Sequence, residues 1–176
     1  PSLIAPSMQE VSIVTTWNVG SHHDRAGLAG RTHLSAQWLA SRGESANGVR
    51  REIKAGSKHT WIIEKIHPSR LVESLDAMAL SFGDREVDEK HLQMSRDKIV
   101  EQWSRLHSID SHRLTNMILD RLDPLAAGPR GGADFDLIQC DEVSKFLAQT
   151  YHPGNVRIVI AGPFDPAPVI TLIEQA

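Results

Sequence analysis

Hydrophobic and polar positions change period several times along this chain, and each change marks an element. From Val11 to Val19 the residues alternate, with Val11, Ile13, Thr15, Trp17 and Val19 on one side, which predicts a strand with one buried face. Gly20-Ser21 then turns the chain. A helical stretch from Ala26 to Arg42 sets Leu28, Ala29, Ala36, Leu39 and Ala40 on one side and stops at Gly43. A second β region covers Ala46 to Ala55 and Ser57 to Ile66, with Gly56-Ser57 as the hairpin turn and Thr60-Trp61-Ile62-Ile63 supplying β-branched and aromatic residues. Pro68 suits the first turn of a helix whose Leu71, Leu75, Met78, Ala79 and Phe82 form a buried stripe, ended by Gly83. A long helix follows over Val87 to His107 and a shorter one over Ser111 to Leu122. Asp123 to Asp136 holds two prolines and three glycines and reads as a loop, either a mobile flap or a plain surface connection. Val143, Phe146, Leu147 and Tyr151 mark another helix, Val156 to Ala161 a strand, and Asp165-Pro166 the start of a last helix carrying Val169, Ile170, Leu172 and Ile173. That helix reaches Ala176 without a stop signal, as expected for part of a longer, two-domain chain. The order predicts an α+β fold, a mainly antiparallel sheet with helices packed on one face.

Composition narrows the classes. A chain of 176 residues, 40% hydrophobic and 23% charged, suits one globular domain spanning 1–176. Net charge is −3 and the two signs are interspersed, so the sequence shows no phosphate-backbone footprint and nucleic acid is not an expected partner. The apolar runs are too short for a membrane span. Cys140 is the single cysteine, which excludes an internal disulfide and an all-thiolate metal cage. No charged segment followed by an apolar one opens the sequence, so none of these residues is expected to act as a signal peptide. Trp17, Trp38, Trp61 and Trp103 all fall in regular elements and read most simply as core.

Two clusters carry candidate chemistry. His22-His23-Asp24 with His33 holds enough donors for a metal site, although adjacent histidines in an extended turn point apart, which favours exposed loop histidines. Arg50-Arg51-Glu52 and Lys54 describe either an edge strand that accepts an extended peptide or a charged edge that discourages aggregation.

Several motifs together resemble one family. Gly20-Ser21 followed by Gly27-Leu28-Ala29 is similar to the start of the N-terminal domain of the pitrilysin/insulinase metallopeptidases. Asn47 resembles that family's Asn-Ala pair near the hairpin. Tyr151-His152-Pro153-Gly154-Asn155 resembles its Y-x-P-x-N, and the strand to Ala161 followed by Gly162-Pro163-Phe164-Asp165 resembles the strand and Gly-x-Phe-Asp turn after it. The likeness spans about Val11 to Ala176 and implies a half-unit of the LuxS/peptidase-like metalloenzyme fold. It also implies peptides held along a sheet edge, with Asn47, Arg50 and Arg51 as the candidate positions here.

In that family a helix carries H-x-x-E-H, two zinc-binding imidazoles with a general-base glutamate between them, and a later helix supplies a glutamate ligand. Set directly after Gly27-Leu28-Ala29, the resemblance places the first ligand at Gly30, the base at His33 and the second ligand at Leu34. In the later helix it places the third ligand at Gln102 and an assisting acid at Ser95. Glycine and leucine donate no lone pair. The resemblance therefore implies a degenerate domain that binds no zinc, needs no cofactor and cuts no peptide alone. Its expected partner is a related half or subunit with an intact zinc site; the alternatives are a purely structural scaffold and, behind it, an active peptidase with an unrecognised metal site.

Overall fold

The computed structural model describes residues 9–25, 27–42, 50–83, 85–107, 118 and 135–175. The predicted helix over 111–122 (Ile118 apart), most of the 123–136 loop and Asn47 lie outside these residues.

Four strands form one antiparallel sheet: β1 (Val11–Trp17), β2 (Arg50–Ala55), β3 (Thr60–Ile66) and β4 (Val156–Ala161), in the order β2-β3-β1-β4. The alternation read from the sequence decides which side is buried. Val11, Ile13, Thr15 and Trp17 of β1 are buried, as are Thr60, Ile62, Glu64 and Ile66 of β3, and the residues between them look outward. Register then lines up three outward rows across the sheet: Arg50–Lys65–Ser12–Ala161, Glu52–Ile63–Val14–Val159 and Lys54–Trp61–Thr16–Arg157. Trp61 thus differs from the expectation that all four tryptophans are core. It falls on the outward parity of β3 and is only partly buried, whereas Trp17 and Trp38 are almost wholly enclosed.

The helices are α1 (Arg31–Arg42), α2 (Leu71–Ser81), α3 (Glu89–His107), α4 (Cys140–Thr150) and α5 (Pro166–Gln175). They build two apolar clusters. Trp17, Leu34, Trp38, Leu92, Phe146 and Tyr151 join β1 to α1, α3 and α4. Val11, Ile13, Leu71, Leu75 and Val169 join the other end of the sheet to α2 and α5. Helix α1 packs against β2, α3 and α4, and nine of its twelve residues are buried, so it is the central helix and not a one-sided amphipathic one.

Three polar arrangements cross this interior. Arg51 points inward from β2, ion-pairs with the buried Glu64 and also donates to the Ala40 carbonyl, while Ser74 Oγ donates to Glu64 Oε2 at 2.8 Å. Arg96 of α3 is buried and donates to the carbonyls of Phe135 (3.2 Å) and Ile138 (2.7 Å), with Glu89 Oε1 at 2.8 Å from Nη1. Gly20 fits against the β2–β3 turn, where a Cβ would sit 2.3 Å from the Ser57 carbonyl carbon, and the next two amides donate to Gly56 and Ser57.

Candidate functional site at the start of the central helix

The chain enters α1 through a tight approach. Gly27 and Gly30 have φ of 82° and 94°, backbone that favours glycine, so α1 begins at Arg31 and not at Ala26 as the apolar pattern alone predicts. The first amides of the helix find their acceptor well upstream. Gly30 N–H donates to Asp24 Oδ2 at 2.9 Å, and Thr32 N–H and Oγ1 lie 2.9 and 2.7 Å from Asp24 Oδ1. Burial holds the Asp24 carboxyl above the usual aspartate range, although its contacts with Thr32 and Gly30 pull the other way. Both carboxylate oxygens are engaged in capping, which turns Asp24 of the His22-His23-Asp24 cluster towards the start of α1.

Neighbouring side chains brace the same turn. Arg31 donates through Nη2 to the His23 carbonyl (2.8 Å), stacks 4.0 Å over the Phe146 ring and lies 3.8 Å from Glu142. Tyr151 is wholly buried, with its hydroxyl 3.1 Å from Thr60 Oγ1. Since Thr60 spends its own proton on the Val19 carbonyl at 2.8 Å, the phenol is the donor to Thr60. The Thr32 carbonyl, 3.5 Å from the same hydroxyl, competes for its one proton at longer range, so the firm bond of Tyr151 is to β3. Asn155 Nδ2 donates to Thr150 O at 2.9 Å and closes the bend between α4 and β4. The motif residues Gly20 and Tyr151 therefore contact the first turn of α1, while Asn155 fixes the bend between α4 and β4.

The positions expected for zinc ligands are scattered. Gly30 precedes the helix in left-handed backbone. Leu34 is fully buried in the apolar cluster beneath the sheet. Gln102 is exposed on α3, while Ser95 is buried and donates to the His91 carbonyl at 2.9 Å. His33 is the one imidazole in α1. Its residue surface is only partly covered, yet Nδ1 is shielded and has no hydrogen-bond partner, and desolvation lowers its pKa to about 4. Counted from within the helix, an i, i+3, i+4 set starting at His33 continues with Ala36 and Gln37, both buried. That register keeps all three positions helical, which a set starting at Gly30 does not. Among the described residues no three of His, Cys, Asp or Glu converge as a metal-binding group.

The edge-strand candidates are also placed. β2 is an edge of the sheet, Arg50 is exposed on its outward side, and Arg51 is taken up by Glu64 inside. Cys140 lies 3.2 Å from Glu89 Oε2, and burial, reinforced by that carboxylate, pushes its thiol up to about 11. The roles of Asp24 and Arg96 had no readable signal. Asp24 caps from six residues before Gly30, far outside the usual N-cap offset, and Arg96 serves carbonyls some forty residues away.

No family model matches the chain, and no curated protein matches it in sequence. Solved structures do. A chain of Complex III2 from Candida albicans superposes with a TM-score of 0.79 at 18% identity, over 98% of this chain and 42% of that one. An M16-like peptidase from Alicyclobacillus acidocaldarius gives 0.76 at 15% identity, and a protease from Helicobacter pylori 0.75 at 16%, each over 98% of this chain and 45% of its own. The chain has the α+β fold of an M16 peptidase domain. It spans less than half the length of these structures.

Proposed function

We propose that this chain is a non-catalytic domain of an M16-type peptidase assembly, closing a peptide chamber against a related half or subunit that carries an intact zinc site. The observation that carries this reading is the donor set on α1. A catalytic zinc site of this kind needs two imidazoles one turn apart plus a carboxylate, with a second acid as base. Starting from Gly30, the helix offers a glycine, a histidine and a leucine. Starting from His33, it offers one imidazole, an alanine in place of the base and a neutral amide in place of the second ligand. Neither set suits Zn²⁺, and no hydrolytic step runs through these residues. The framework that holds the helix, by contrast, is complete at Gly20, Asp24 and Tyr151. A chamber wall needs that shape and not the metal.

Peptide would add along the edge of β2 that no described strand pairs, through main-chain hydrogen bonds, with Arg50 as the outward cation there. Pure chain incubated with unstructured peptides, with and without added zinc, is expected to release no fragments. Robust zinc-dependent hydrolysis, lost in His33→Ala, would overturn the proposal. A purely structural scaffold is the second reading, favoured by the likeness to a chain of Complex III2. The two part on peptide binding, because a scaffold would show none at the β2 edge.

A further inference from the structure

Helix α1 turns three sides to its surroundings. Thr32, Ala36 and Leu39 lie along the side that faces the sheet, where Leu39 lines a small cavity together with Trp17 and Ile62. Arg31 and Trp38 lie along the side that faces α4, where Arg31 covers the Phe146 ring. The third side carries His33 and Ala40, two helical turns apart, and it borders β2. Both ends of that border are tied. Arg51 of β2 donates to the Ala40 carbonyl, and Thr32 Oγ1 donates to the Gly20 carbonyl at 3.1 Å, next to the Ser21 and His22 amides that bind Gly56 and Ser57. Helix α1 thus runs antiparallel to β2, with His33 towards the Ala55 end. From Arg31 to Ala40 every residue is buried except His33. Of its ring nitrogens only Nδ1 is shielded, and it has no hydrogen-bond partner among the described residues. Desolvation keeps the ring neutral at pH 7. A neutral imidazole carries one N–H and one bare nitrogen. A buried N–H without an acceptor is the rarer defect, so the bare nitrogen belongs inside and the proton on the unshielded Nε2.

We propose that His33 holds a peptide laid along β2 by donating Nε2–H to one of the peptide's main-chain carbonyls near the Ala55 end. This inference rests on the chamber reading and gives it a residue: an imidazole without metal-binding neighbours that recognises backbone. A strand added at the edge lies about 4.8 Å beyond β2 and bonds it through alternate residues, so every second carbonyl stays free to accept from elsewhere. His33 supplies a donor from the helix layer beside that edge, at the one position of Arg31 to Ala40 that is not covered. A backbone carbonyl is the same in every peptide, so the contact sets the peptide's position without choosing its side chains. The ligand class is therefore an extended peptide of any sequence that accepts a strand conformation.

The test is a fluorescence-anisotropy titration of the whole chain with a labelled peptide of about ten residues alternating Thr and Val. Saturable binding is expected, weakened about fivefold in His33→Leu, as the loss of one hydrogen bond implies. His33→Gln, whose side-chain amide still donates, should stay within about twofold of the wild type. Circular dichroism checks that both variants fold. Nitrogen NMR of isotope-labelled histidine needs no variant: it should find the His33 proton on Nε2 in the free chain and a downfield shift of that proton when peptide is added. An Nδ1–H tautomer, equal binding by His33→Leu and the wild type, or a Gln variant as weak as the Leu variant overturns this inference while the chamber reading stands. A wild-type chain that binds no peptide overturns both, in favour of the scaffold.

Discussion

Acid should loosen this fold through one imidazole. His33 has a folded-state pKa of about 4 against 6.5 for an unperturbed histidine, and desolvation is the cause. Above pH 6.5 the ring is neutral in both states and contributes no pH dependence. As pH falls from 6.5 towards 4 the unfolded chain takes up a proton that the folded chain refuses, so stability falls with pH across that window and levels off below it. The gap between the two values is worth about 3 kcal/mol at about 1.4 kcal/mol per pH unit. The residue keeps some exposed surface, and water reaching it trims the expectation to about 2 kcal/mol. Asp24, with its carboxyl raised by burial, acts with the opposite sign and gains stability as pH falls, so the wild-type profile alone would mislead. The comparison is therefore with His33→Leu, which keeps Asp24 and removes only the titrating ring. Urea unfolding followed by tryptophan fluorescence across the window should show the wild type losing about 2 kcal/mol more than the variant by about pH 4. Parallel profiles, or a ring-proton NMR titration of His33 with a midpoint near the unperturbed value, would refute the reasoning.

Other perturbations follow from the contacts that hold α1 and its surroundings. Gly20→Ala drives a methyl into the Ser57 backbone and should cost more than about 2 kcal/mol, whereas Gly27→Ala meets nothing within 4 Å and pays only for its left-handed φ, about 1 kcal/mol, so urea midpoints should separate the two. Tyr151→Phe removes the phenol from Thr60 and Thr32 but keeps the ring against Trp17 and Phe146, and should lower stability by about 1–2 kcal/mol on the same assay. Arg96→Met leaves the Phe135 and Ile138 carbonyls without their donor and should cost about 2–4 kcal/mol, with faster amide exchange concentrated near residues 135–138.

Sequence and structure agree most closely where one local period decides the outcome. The alternation of β1 matches its burial residue by residue, and the apolar stripe of α2 delivers Leu71 and Leu75 to the core. Periodicity was less informative for α1, because a helix buried on nearly every side has no polar face to set its phase. Its start is hidden from the apolar pattern for a related reason. Leu28 and Ala29 extend the apolar pattern backwards, and only the positive φ of Gly27 and Gly30 shows that the backbone there is not helical. Trp61 illustrates the remaining ambiguity, since residue type suggested core while strand parity turned it outward.

That start matters for where zinc ligands are sought on this helix. Counting from the Gly-Leu-Ala segment puts the first ligand at Gly30, one residue before the helix, in backbone where any imidazole would be strained. Counting from the helix itself makes His33 the first position, with Ala36 and Gln37 after it. The two registers share only His33, and each supplies that one histidine and no acid from α1. The silent role proposed above therefore holds in either register. It rests on a helix whose capping, bracing and burial are intact while its donors are not, which is the pattern expected when a fold is kept for its surfaces.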